Sequence, residues 1–175
     1  VLIGMPGSGK STVGVLLAKR IARNFVDTDL LIQAAEGRSL QEIVNSEGYA
    51  ALRGIEERVL CEVELDHHVI ATGGSAVYSD KAMRHLNARG QVVFLNVTLD
   101  TVKTRIGDFS LRGISKRPDQ TLDDLFDERY ALYTRYADIT IDCDRLSHDQ
   151  ACDEIEAALK RVADANNRSD KDNSQ

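Results

Sequence analysis

At 175 residues the chain has the length of one domain, able to bury roughly 70% of its unfolded surface, so it needs no disulfide or structural metal. A formal charge of −6, from 28 acidic against 22 basic side chains, argues against nonspecific binding to nucleic acid or to an anionic membrane. The three cysteines, Cys61, Cys143 and Cys152, are odd in number and lack paired metal-ligand spacing, which points to reduced thiols in a cytoplasmic protein.

The chain opens on the apolar stub Val1–Ile3, which reads as a strand through Gly4. Val1 already stands inside that strand, which implies native residues before it. Gly4 to Ser11 then spells GMPGSGKS, a glycine, four residues and Gly-Lys-Ser. In this phosphate-binding pattern, successive backbone N–H groups turn inward to make an anion nest, and the following helix adds its positive end. Lys10 supplies a mobile charge for the β- and γ-phosphates, and the Ser11 hydroxyl can ligate Mg²⁺. A helix over Lys10–Arg23 carries Val13, Leu16, Leu17 and Ile21 on one face, the context that separates a phosphate loop from an ordinary glycine turn.

The next strand, Asn24–Asp27, ends in FVDTD. In an open parallel sheet, ligands gather beyond the carboxyl ends of the strands, so Asp27 and Asp29 face the crevice of the phosphate loop. Asp27 suits Mg²⁺. Asp29 suits a substrate hydroxyl, or else only caps the next helix. Helices are predicted over Asp29–Glu36, over Ser39–Ser46 with Ser39 and Glu42 as a capping box, and over Tyr49–Leu65. Within the last, Arg53 and Glu56 lie three apart and can pair, which by itself is no more than a surface ion pair.

A third strand, Val69–Thr72, runs into Gly73 and Gly74, where bare backbone can approach a ligand or simply turn toward the helix Asp80–Ala88. Strand Val92–Val97 and helix Leu99–Gly107 follow. Gly107 to Thr121 has no apolar period and carries Arg112, Lys116 and Arg117 around Gly113 and Pro118; it reads as a lid or as a solvated connector. Helix Leu122–Tyr136, strand Ile139–Asp142 and helix Ser147–Ala163 complete a single domain over residues 1–163. Residues 164–175 have no core-forming side chains and are expected to be a disordered, silent tail. Helices between apolar strands predict βαβ units and a parallel sheet covered on both faces.

In order and spacing these pieces resemble the shikimate kinase family, small P-loop kinases of the nucleoside-monophosphate-kinase type. The resemblance runs from Leu2 to about Asp142 and rests on GMPGSGKST, FVDTDLLIQAAEGRSLQEI, LRGIEERVL, ATGG, the KRP of the lid and ERYALYTRYADITID. It implies an α/β fold, a three-layer α/β/α P-loop domain with a five-stranded parallel sheet ordered 2-3-1-4-5. It also implies a helical substrate-binding region over about 29–65 and a lid over about 107–121. The implied reaction is ATP-dependent phosphorylation of a hydroxyl, shikimate to shikimate 3-phosphate, with ATP and Mg²⁺ as cofactors. The implied partner is a small-molecule substrate, with no nucleic acid or membrane, and the chain is expected to act as a monomer.

Site roles follow from the same resemblance. Gly7, Ser8, Gly9, Lys10, Ser11 and Thr12 bind the nucleotide, Arg105 flanks adenine and Arg117 reaches the phosphates. Ser11 and Asp27 hold Mg²⁺, and Lys10, Asp29 and Arg117 carry catalysis. Arg53 and Arg129 grip the substrate carboxylate, Glu56 positions Arg53, and Asp29, Gly73 and Gly74 approach the substrate. Phosphoryl transfer through a loose transition state asks mainly for positioning and charge neutralisation, so Asp29 is expected to keep an ordinary carboxylate pKa near ~4.

The chain departs from the family pattern at Ser75, where a third glycine is usual, at Leu52 for a Phe, at Ala131 for a Pro, and at the RPDQ of the lid. Altered walls also suit another small hydroxy acid, a sugar acid or a hydroxy amino acid. A non-catalytic nucleotide-binding module, with its arginines in surface pairs, is the alternative from another class.

Overall fold

The computed structural model describes residues 1–107 and 114–172, with side chains as far as Ala165. The apolar runs form five parallel strands in the order β2-β3-β1-β4-β5: β1 (Leu2–Ile3), β2 (Asn24–Asp27), β3 (His68–Ala71), β4 (Val93–Asn96) and β5 (Ile139–Asp142). Leu2 pairs with Ala71 on one side and Val93 on the other, which puts the phosphate-loop strand in the middle of the sheet. The helices are α1 (Lys10–Arg20), α2 (Thr28–Glu36), α3 (Leu40–Glu47), α4 (Tyr49–Glu62), α5 (Asp80–Asn87), α6 (Leu99–Ile106), α7 (Leu122–Tyr136) and α8 (His148–Asp172). This is the expected three-layer α/β/α arrangement.

Burial shows where the layers meet. Leu2, Ile3, Val93, Phe94 and Leu95 are all buried, as continuous apolar strands between two helical layers must be. β5 instead alternates, with Ile139 and Ile141 inside and Thr140 and Asp142 exposed. Coverage on both faces therefore holds for the central strands and not for this edge. Phe94 stacks on Tyr133 of α7, centroids 5.1 Å apart, which docks that helix on β4. A second, smaller core of Ile32, Ile43, Leu52 and Val59 lies beneath α2, α3 and α4. Leu52, at the place of the usual aromatic residue, is one of its four buried members.

Element ends differ from expectation where local chemistry is unusual. α1 stops at Arg20 because Ala22 takes the left-handed conformation at φ 52°, and Arg23 N–H closes on Ala18 O at 2.9 Å. That geometry normally selects glycine, so alanine concealed the stop. A single 3₁₀ turn, Ala76–Tyr78, intervenes between β3 and α5. α8 runs on to Asp172, across the first residues of the segment expected as a tail. Once a long helix is nucleated each added residue costs little, and residues 164–172 contain neither glycine nor proline to stop it. Residues 108–113 of the expected lid, Arg112 among them, lie outside the described residues.

Cys61 is half-buried, while Cys143 and Cys152 are buried. Burial pushes the Cys143 thiol up to about 11. Cys152 rests under α1, its Sγ 3.7 Å from Val13 O. No helix among the described residues is long and apolar enough to cross a membrane.

Candidate active site

The loop after β1 is built by glycine. Gly9 is the N-cap of α1 at φ 97°, a left-handed conformation that favours glycine, and Ser8 N–H closes the turn on Met5 O at 3.1 Å. Lys10 folds back over the loop and donates from Nζ to Gly4 O and Met5 O, both at 2.9 Å. Burial brings its pKa down to about 8, opposed by the nearby Asp29 and Asp27 carboxylates. Ser8 Oγ is buried with no hydrogen-bond partner, an orphan that fits a phosphate-binding turn. Arg105 reaches the loop from α6, with Nη1 3.4 Å from Gly7 O.

Asp27 joins the two sides of the cleft. One oxygen accepts from the Ser11 hydroxyl at 2.6 Å; the other accepts from Asp29 N–H at 3.0 Å and so caps α2. The cap is therefore Asp27, and the alternative in which Asp29 merely caps is set aside. The Ser11–Asp27 oxygen pair fits a hard cation that keeps most of its water. Asp29 is raised to about 6, first by burial and then by Asp27, with Lys10 and Arg129 opposing. The ordinary value near ~4 does not hold, because this carboxylate is largely withdrawn from water.

A cavity of about 940 Å³ opens over the phosphate loop. Gly7, Gly9, Lys10, Ser11, Thr12, Asp29, Gly73, Gly74, Arg105 and Arg129 all line it, so most expected site residues meet at one place. A Cβ at Gly73 would run into Glu56 Oε1 and Asp29 Oδ1 together, so both carboxyl groups would have to shift to admit it. A Cβ at Gly74 would lie 2.8 Å from Arg129 Nη1 and from Pro6 Cδ. Tyr133 Oη holds this strand end by donating to Gly74 O at 2.7 Å.

Arg129 is 1% exposed, and its Nη2 donates to Ser115 O at 2.6 Å while its Nε is buried without a partner. A buried guanidinium with a donor to spare is prepared for an anionic oxygen.

Four expected residues, Ser8, Asp27, Arg53 and Arg117, are not part of the cavity wall, and the two arginines among them are turned elsewhere. Arg53 turns its Nε to Ser115 Oγ at 3.0 Å and lays its guanidinium over the Tyr78 ring, 3.5 Å from the centroid. Its Nη2 is buried and unpartnered. Among the described residues no ion pair joins Arg53 to Glu56, because the Glu56 carboxylate is taken by the Ser75 hydroxyl. Arg117 lies on Glu128, Nη1 to Oε2 at 3.0 Å, rather than on the phosphate loop. A half-exposed guanidinium takes the nearest carboxylate, and Glu128, shared with Tyr78 Oη and Gln120 Nε2, is about two turns from the lid end of α7.

Sequence reasoning missed the residues that organise these arginines. Tyr78 lies under Arg53 and 5.4 Å from the Arg129 guanidinium, and it hydrogen-bonds Glu128 at 2.6 Å. Ser115, 2% exposed, touches both arginines. Ser147 and His148, at the start of α8, complete the far wall. Tyr78, four residues beyond Gly74 in a chain with five tyrosines, left only a faint signal, and Ser115 left none.

The shikimate kinase family model matches residues 6–160. A shikimate kinase of Sulfurihydrogenibium sp. is 35% identical over 161 residues, covering 91% of this chain and 96% of the relative. Another, from Rippkaea orientalis, is 40% identical over 143 residues, covering 80% and 75%. Among solved structures, the shikimate kinase from Acinetobacter baumannii in complex with shikimate superposes with a TM-score of 0.83 at 31% identity, covering 91% of this chain and 92% of that one.

Proposed function

The chain belongs to the shikimate kinase family, and on that premise we propose that it transfers the terminal phosphoryl group of ATP to a hydroxyl of shikimate. The observation that carries this reading is the single cavity in which Lys10, Asp29 and the buried Arg129 face one another. The relative solved with shikimate bound supports the same acceptor.

The residues divide the work. Backbone N–H groups of Gly7 to Thr12 cradle the phosphates, with Lys10 exchanging the Gly4 and Met5 carbonyls for phosphate oxygens. Ser11 and Asp27 would hold Mg²⁺, which would supply charge neutralisation on those phosphates. Arg105 flanks the nucleotide base, and Arg117 leaves Glu128 to meet the transferring group. On the acceptor side the spare Nε of Arg129 and the spare Nη2 of Arg53 receive a carboxylate, which two guanidinium groups bind more selectively than two ammonium groups. Asp29 orients the hydroxyl and takes its proton as the new bond forms, with Gly73 and Gly74 admitting the acceptor close to the backbone. Unpaired cysteines and the use of ATP support a cytoplasmic home.

ATP consumption measured with and without shikimate, beside a panel of other small hydroxy acids, tests the proposal. Stimulation by shikimate is expected. Stimulation by another compound alone overturns the acceptor, and tight ATP binding with no stimulation by any of them overturns the enzyme.

A further inference from the structure

We propose that Ser75 is a positioning residue for Glu56, its hydroxyl fixing that buried carboxyl on the acceptor wall beside Asp29 and Arg129. The inference rests on the kinase reading above and adds a residue whose role the family pattern, with glycine at this place, does not supply. Glu56 is 3% exposed, and a carboxyl so placed needs a partner. Among the described residues its direct hydrogen bond comes from Ser75 Oγ to Oε2. Ser75 is itself buried and is the N-cap of the 3₁₀ turn Ala76–Tyr78, yet its side chain makes no capping bond there. The hydroxyl is thus committed to Glu56 and not to the turn. With Oε2 anchored, Oε1 stands over Gly73 together with Asp29 Oδ1. Ser75 and Glu56 line the main cavity with Asp29 and Arg129, and also a hollow of about 310 Å³ with Arg53 and Tyr78, so the pair forms the partition between them.

The charges that face Glu56 come from every side: Asp29 of α2, Arg129 of α7, Arg53 of α4 and Lys10 of α1, with the Tyr133 hydroxyl of α7 beyond. Burial is the dominant influence and raises Glu56 to about 7, while the Ser75 hydrogen bond pulls it back toward the charged form. Loss of the hydroxyl leaves burial opposed only by the arginines and Lys10.

Isotope-labelled carboxyl NMR, with the Glu56 signal assigned by its loss in Glu56→Gln, reads the contact directly in the free chain. In Ser75→Ala, with Ser75→Gly as a second hydroxyl-free variant, the Glu56 midpoint should rise by about one pH unit or more, the size expected for a hydrogen bond to a charged group. Ser75→Thr should keep it. The acidic limb of kcat/KM for shikimate should move in the same direction while KM for ATP holds. An unmoved Glu56 midpoint in both hydroxyl-free variants, or an equal rise in Ser75→Thr, overturns the proposal. Absence of shikimate-stimulated turnover in the parent chain overturns the functional reading instead, and the NMR titration still decides the role of Ser75.

Discussion

The two sides of the cleft are made in opposite ways. The phosphate side is one uninterrupted stretch, Gly4 to Thr12, whose groups are mostly backbone and whose one charged side chain, Lys10, bonds within the loop. The acceptor side is assembled from α2, α4, the end of β3, residue 115 and α7, and its groups are buried side chains held by other side chains. It stands on the lesser core of Ile32, Ile43, Leu52 and Val59. Backbone geometry tolerates neighbouring substitutions, whereas a constellation of side chains must be kept in register from several directions at once.

Breaking the phosphate side has the largest expected effect. Lys10→Ala should reduce turnover to background while circular dichroism and the melting transition stay those of a folded chain. Near-normal activity in that variant would remove the phosphate-loop assignment. Arg117→Ala tests the group that stands between the two sides, and kcat should fall by roughly 10²-fold or more, as for other single charge-stabilising donors. A kcat equal to the parent's would leave Arg117 as no more than the partner of Glu128. Gly73→Ala strikes the acceptor side alone. The added methyl displaces Asp29 and Glu56, so kcat/KM for the acceptor should drop about 10²-fold while ATP affinity, measured by equilibrium binding, is retained.

The last effect is on stability and not on turnover. Glu56 rises on folding from its reference 4.5 to about 7, so the folded chain holds a proton there that the unfolded chain has released. Its contribution is therefore fully present below pH 4.5 and is lost as pH climbs through about 7, a difference on the order of 3 kcal/mol. Melting temperature across that window should fall less steeply in Glu56→Gln than in the parent.

The same contrast explains what could be read beforehand. The phosphate loop was legible because its chemistry lies in consecutive residues, and the strand order followed from the resemblance that loop opened. Asp29, Gly73, Gly74 and Arg129, given their roles by that resemblance, all line the cavity. The orientations were not legible. No spacing rule announces that Arg53 lies on Tyr78, that Ser115 bridges two arginines, or that Ser75 takes the carboxylate expected for Arg53, since each contact joins residues far apart in the chain or on different elements. Which of Asp27 and Asp29 caps α2 was hidden for a subtler reason. Aspartate is a good cap at either position, and only the start of α2 at Thr28 decides between them.

The distribution of thiols has a practical consequence. Cys152 lies between α8 and α1 and Cys143 at the end of β5, both shielded, while Cys61 is partly open. A thiol-reactive dye should therefore mark one site rapidly and the other two only when the carboxyl-terminal helix lifts from its bed. Labelling stoichiometry against time then becomes a clock for that opening, readable in the unaltered chain.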